Sequence, residues 1–294
     1  MPAKNYKKIY SNNTLCQSPY DKRDYKFKDL VGNANIEIPT KYETPDLGWT
    51  YDQKDSSMCA PSAYCYIRCL QEYDKEQSEL TGKVSPSFHY ANRDIGHNHE
   101  GMHLRNLCSR GRDGSVLFDR MTYPNTFEGA RAEFFANEEK LRKEAKPFRI
   151  TKYYTCRSRK EVQQAIMTTK SVLIGVPVYD SFYRPNSEGY IEYHQGEVFH
   201  GNHAIVIDGW KTIEGKLYWR IKNSWGKTWG HLGNGHAYLS EEYPWMDNAY
   251  VIVDEVTEMK FKEYQEQLNR PQVEQASLLD IILAFFRKLF KISD

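Results

Sequence analysis

The chain of 294 residues has little of what most often announces a function. Net charge is almost absent, with 40 Lys and Arg against 39 Asp and Glu, so nothing advertises a polyanionic partner and a nucleic-acid role is set aside. Long apolar runs are absent too. The first residues, Met-Pro-Ala-Lys-Asn-Tyr-Lys-Lys, are polar with no apolar stretch behind them, which excludes an ordinary secretory signal unless the chain is a processed form. Cysteine is scarce: Cys16, Cys59, Cys65, Cys69, Cys108 and Cys156, with no CxxC spacing. If one of the six is a nucleophile, an odd number remains and cannot all pair, so the expectation is free thiols in the cytoplasm or another reducing compartment.

What is present is a soluble composition, 40% hydrophobic and 27% charged, long enough for one large core or two subdomains sharing a cleft. Residues 1–45 read as an extended polar leader. From Ala60 the apolar residues Ala60, Ala63, Tyr64, Ile67 and Leu70 recur at helical spacing, with Pro61 in the first turn, where its missing N–H costs nothing. Cys59 therefore stands at the N-terminus of a helix expected to reach about Glu72. Further helices are expected from Ser85, over Met102–Ser109 and Glu128–Lys146, and over Ser158–Thr169 behind a Ser N-cap. The second half changes to strand patterns at 171–178, 203–210, 217–223, 236–240 and 249–253. Helices first and strands later predict α+β architecture.

Two of those strands, 203–210 and 217–223, are joined by Lys211-Thr-Ile-Glu-Gly-Lys, a turn sequence. A hairpin centred near Ile213 sets His203 beside Asn223, to within a residue or two. The helix-terminal Cys59 is the complementary half. A thiol must be thiolate to attack, its ordinary pKa is about 8.5, and a helix N-terminus with a nearby imidazolium lowers it. Asn223 would hold the other ring nitrogen of His203, and Gln53 can offer a side-chain N–H to an oxyanion beside the backbone N–H of Cys59.

These residues carry a resemblance. Asp52-Gln-Lys-Asp-Ser-Ser-Met-Cys-Ala, Gly201-Asn-His-Ala-Ile-Val-Ile-Asp-Gly-Trp and Tyr218-Trp-Arg-Ile-Lys-Asn-Ser-Trp-Gly are similar, in this order, to the glutamine–cysteine, histidine and asparagine segments of papain-like cysteine proteases. The resemblance covers about residues 20–255 and looks closest to compact bacterial and viral members. It implies a helical subdomain and an antiparallel β-barrel-like subdomain with the active-site cleft between them. It further implies peptide-bond hydrolysis through a thioester by Cys59, His203, Asn223 and Gln53, no cofactor, a peptide or protein substrate, and Trp225 shielding the His–Asn bond. It departs from the family where a disulfide cysteine usually precedes the nucleophile, which here is Ser56, and where a Trp follows it. The domain reading is a leader over 1–45, a catalytic domain over 46–255 and a helical tail over 256–294; a blocking role for the leader stays open.

Three alternatives stay open as well. A papain-like shell can bind without catalysing, and the same machinery can transfer acyl groups other than to water. His99-Glu-Gly-Met-His is a literal HExxH, which would place zinc between His99 and His103 with Glu100 as base, although Gly101 and the flanking Gly96-His-Asn read as loop. Finally, Ser277–Ile292 has an apolar block too short to span a bilayer, followed by Arg287, Lys288 and Lys291. It is expected as an amphipathic helix that docks on this protein, on a second copy or on a membrane surface.

Overall fold

The computed structural model describes residues 6–11, 13–31, 37–76, 83–93, 101–230, 232–246 and 249–268. The stretch expected as an extended leader carries α1 (Tyr6–Ile9), α2 (Phe27–Val31) and β1 (Lys41–Glu43). Tyr10, Leu15, Phe27, Leu30 and Val31 are all buried, so this stretch is packed onto the body. Phe27, Leu30 and Val31 share the one-sided spacing that gives α2 an apolar face.

The helical lobe follows: α3 (Cys59–Glu76), α4 (Pro86–Ala91), α5 (Leu104–Arg110), α6 (Phe127–Ala136) and α7 (Glu138–Ala145). From Cys59 to Gln71 every side of α3 is buried, which marks it as the central helix and not an amphipathic surface one. That burial includes Arg68, whose guanidinium meets Glu72 at 2.6 Å and Asp254 at 3.2 Å. The helix expected over 128–146 is divided into α6 and α7 at Asn137. There the Asn137 backbone N–H donates to Phe134 O and its side chain to Glu133 O, closing the first helix before the second begins.

The remaining elements are β2 (Lys152–Cys156), α8 (Arg159–Thr169), β3 (Val172–Pro177), α9 (Asp180–Tyr183), β4 (Tyr190–Ile191), β5 (Asn202–Ile213), β6 (Lys216–Lys222), β7 (His236–Ser240), β8 (Ala249–Val253) and α10 (Glu255–Leu268). The strands form one sheet in the order β2-β8-β3-β5-β6-β7-β4, with β1 added on β5. The expected barrel is corrected in two ways: β2 and β4 end the path without meeting, so the sheet is open, and β4 pairs with β7 in parallel. The class is α+β, as the strand and helix patterns predicted.

Both faces of the sheet are covered. Leu173, Ala204 and Val206 face α3 and join the helical core, while their neighbours Val172, Ile174, Ile205 and Ile207 pack on the other side with Ile166 of α8. This alternation is the two-residue period of a strand buried on both sides. It places the start of β5 directly against the N-terminal end of α3. The tail beyond residue 268, including the amphipathic stretch, lies outside the described residues.

Candidate active site

The β5–β6 hairpin turns at Glu214 and Gly215, both with positive φ, one to two residues later than the expected centre. A register shift between Ile207 and Gly209 makes Asp208 the extra residue of a bulge, and the ladder ends with Val206 opposite Lys222. His203 and Asn223 lie beyond that last pair and meet through their side chains, with His203 Nε2 2.7 Å from Asn223 Oδ1.

That contact fixes the tautomer. Asn223 Oδ1 also accepts the Ser224 backbone N–H at 2.7 Å, so the oxygen end of the amide faces both donors. Nε2 must then carry the ring proton, which leaves Nδ1 as a lone-pair base. Nδ1 is buried and has no hydrogen-bond partner among the described residues. Trp225 lies over the pair, its ring centroid 4.9 Å from that of His203. Asn223 is itself held at both backbone groups: its N–H donates to Gly235 O at 2.9 Å, and its carbonyl accepts from Thr50 Oγ1 at 2.7 Å.

Cys59 is the first residue of α3. Its sulfur lies within reach of the backbone N–H groups of Ala204, Ala60 and Cys59 itself, each of which favours the thiolate. Ala204 follows His203 in the chain, so the start of β5 that carries the imidazole lies against the N-terminal end of α3. Burial outweighs these donors and pushes the thiol up to about 11. Burial likewise brings His203 down to about 4, against the opposing pull of Asn223. In this state both groups are neutral at pH 7.

Gln53 lies beside Asn223 and Ser224. Its backbone N–H donates to Ser224 O at 2.9 Å, and its Oε1 accepts from Ser224 Oγ at 2.6 Å. Nε2 donates one hydrogen to Ser56 O at 2.9 Å, and the amide nitrogen carries a second.

Residues 10, 11 and 13–16, within the leader whose blocking role the sequence leaves open, form a strap across these groups. Asn202 N–H donates to Asn13 O and Leu15 N–H to Asn202 O, both at 3.0 Å, on the sheet side. Cys16 N–H donates to Met102 O at 3.0 Å on the helical side. The strap runs parallel to both segments. Glycines make this approach possible: a Cβ on Gly101 would sit 1.5 Å from Thr14 O, and one on Gly201 would sit 2.3 Å from Asn13 O. Leu15 fills the space beside Gly175 and Met246 and shares its apolar cluster with Met58, Cys59, Met102 and Ala204. Tyr10 stacks on Trp225 and donates to both Asp52 Oδ1 and Trp225 O. With the strap in place Cys59 is 1% exposed and His203 0%.

Of the HExxH stretch, His99 and Glu100 lie outside the described residues. His103 directly precedes α5 and its backbone bridges Cys16. All six cysteines are free thiols.

A family model described as papain family cysteine protease matches residues 53–262. The gut-specific cysteine proteinase of Caenorhabditis elegans is 32% identical over 106 residues, which are 36% of this chain and 32% of that protein. Testin-2 of Mus musculus is 24% identical over 224 residues, 72% of this chain and 63% of its own length. The matches thus span less than two thirds of these relatives. Xylellain, a cysteine protease from Xylella fastidiosa, superposes with a TM-score of 0.68 at 20% identity, over 84% of this chain and 97% of that one. A digestive procathepsin L 3 of Tenebrio molitor larval midgut gives a TM-score of 0.58 at 15% identity, over 83% and 77%. At these identities the two structures speak to the fold alone.

Proposed function

The chain belongs to the papain family of cysteine proteases, and we propose that it hydrolyses peptide bonds through Cys59, with His203 as base, Asn223 as its orienting partner and Gln53 as an oxyanion donor. The observation that carries this reading is the His203–Asn223 contact, which leaves the Nδ1 lone pair unpartnered at the end of the strand whose next residue, Ala204, reaches the helix-terminal Cys59 thiol through its N–H. Nδ1 takes the thiol proton, and the sulfur attacks the peptide carbonyl. The resulting oxyanion is met by the Cys59 N–H and the second Gln53 amide hydrogen; each such donor contributes about 10²–10³ in rate. The imidazolium then gives its proton to the departing amine, leaving a thioester that water cleaves with His203 as base again.

The strap occupies the path a substrate needs, so it has to move aside first. Its departure lets water reach the dyad, which lowers the thiol pKa and raises that of the imidazole, and the ion pair forms. Residues 10, 11 and 13–16 are proposed as this intrinsic block. The same covered dyad favours a second reading, a papain-like shell that never opens.

A thiol-directed epoxide separates the two. Adduct formation at Cys59, mapped by mass spectrometry, with loss of cleavage of a peptide library and no cleavage by Cys59→Ala, is the expected result. A Cys59 that stays inert together with an uncleaved library assigns the shell. Cleavage abolished by phenanthroline and untouched by the epoxide would move the chemistry to His99 and His103.

A further inference from the structure

Asp46 lies between β1 and Gln53, and its carboxylate collects three donors, from β6, from α3 and from the turn before β7. Lys222 Nζ donates to Oδ1 at 2.9 Å, Tyr66 OH to Oδ1 at 3.1 Å and Asn234 Nδ2 to Oδ2 at 2.7 Å. Lys222 immediately precedes Asn223. Asn234 immediately precedes Gly235, whose carbonyl accepts the Asn223 N–H. Tyr66 stands two turns along α3 from Cys59. Lys222 also lies over the Tyr66 ring, 4.6 Å from its centroid, and its side chain is 2% exposed.

We infer that Asp46 is a positioning residue that fixes Asn223, and through it the His203 ring, against the helix bearing Cys59. The inference rests on the reading of these residues as a catalytic set. A carboxylate is required because Lys222 is buried, and only a negative partner offsets the desolvation of its ammonium. Without that charge, Lys222 keeps only the more weakly coupled Asp208 and is driven toward water or its neutral form, and both the end of β6 and the Asn234–Gly235 turn lose their anchor. Asp46 touches none of Cys59, His203 or Gln53. Its loss therefore acts on ring orientation and leaves the space for substrate unchanged.

The test is Asp46→Asn, with Asp46→Glu as the charge-preserving control. Two readouts serve: kcat and KM on a peptide substrate, and the exchange rate of the His203 Nε2 proton by nitrogen-edited NMR on the intact protein. Asp46→Asn is expected to lower kcat about 10–100-fold with KM within about threefold, because small misplacements cost that much. The ring proton should exchange at least about tenfold faster, and Asp46→Glu should recover part of both losses. A lower melting temperature with kcat and ring-proton exchange unchanged would overturn the inference. If the parent protein cleaves no peptide but Asp46→Asn still accelerates ring-proton exchange, the catalytic reading falls and the positioning role stands.

Discussion

Two regions border the dyad and hold to it by opposite means. The strap, residues 10, 11 and 13–16, uses backbone hydrogen bonds, one leucine and one tyrosine. The cluster around β5, β6 and β7 uses buried charges: Asp208 accepts from Arg220 Nε at 2.7 Å and pairs with His236 Nε2 at 3.0 Å, and Arg220 reaches Glu43 at 3.3 Å. Backbone bonds of the first kind are replaced by water or by another peptide at little net loss, about 0.5–1.5 kcal/mol each. Buried charges of the second kind cannot part without leaving an ion unpaired. The strap is therefore exchangeable and the cluster is permanent.

Breaking the cluster should have the largest effect. Arg220→Met leaves the Asp208 carboxylate, which the Arg220 charge holds well below the usual range against the cost of burial, without its main partner in a fully buried site. Loss of one partner of a buried pair costs about 3–5 kcal/mol, and this loss is expected in urea unfolding at pH 7. The double change Asp208→Leu with Arg220→Met should regain most of it. A single-variant loss under about 1 kcal/mol would erase the contrast between the regions.

The same contrast decides what could be read in advance. Cys59, Ala63, Ile67 and Leu70 declare a helix, and the β-branched runs at 172–176 and 203–207 declare strands, because each signal is local and periodic. The His203–Asn223 meeting was approximately legible because a hairpin ties distant side chains through a short turn. The bulge at Asp208 was not, since its side chain meets Arg220 and His236 from other strands, while local spacing treats it as one more strand residue. Nor was the open sheet, because closure depends on where β2 and β4 end up and not on either strand's own pattern. The sequence leaves a blocking role for the leader open, but which of its residues form the strap was not legible, for a related reason. Asn13 to Cys16 has no period of its own, and its partners Met102 and Asn202 lie far along the chain.

Opening the strap should have the next largest effect. Leu15→Asn removes the apolar side chain beside Gly175 and Met246 and forfeits about 1.5–3 kcal/mol of burial. At about 1.4 kcal/mol per factor of ten, the open population rises about 10–100-fold. Alkylation of Cys59 by iodoacetamide at pH 7 should accelerate by that factor, while the other buried cysteines keep their rates. An unchanged rate at Cys59 would mean that something other than Leu15 holds the strap down.

The smallest effect sharpens the comparison by reading the hydration of single histidines. His203, under the strap, titrates at about 4, and His89, buried against Tyr64 and hydrogen-bonded to Ser115, at about 3, both because burial disfavours the imidazolium. The unfolded chain protonates its histidines near 6.5. Below that pH it binds protons that the folded protein refuses, so stability is full above pH 6.5 and declines as pH falls toward 4. The slope is about 1.4 kcal/mol per pH unit for each histidine, and Asp208 titrates below this window. Leu15→Asn wets His203 in the fraction of molecules it opens but does not wet His89, so its slope between pH 6.5 and 5 should be shallower than that of the parent in urea unfolding, by at most one histidine. Equal slopes would show that the strap does not keep His203 dry, and that the two histidines are shielded by the same permanent packing.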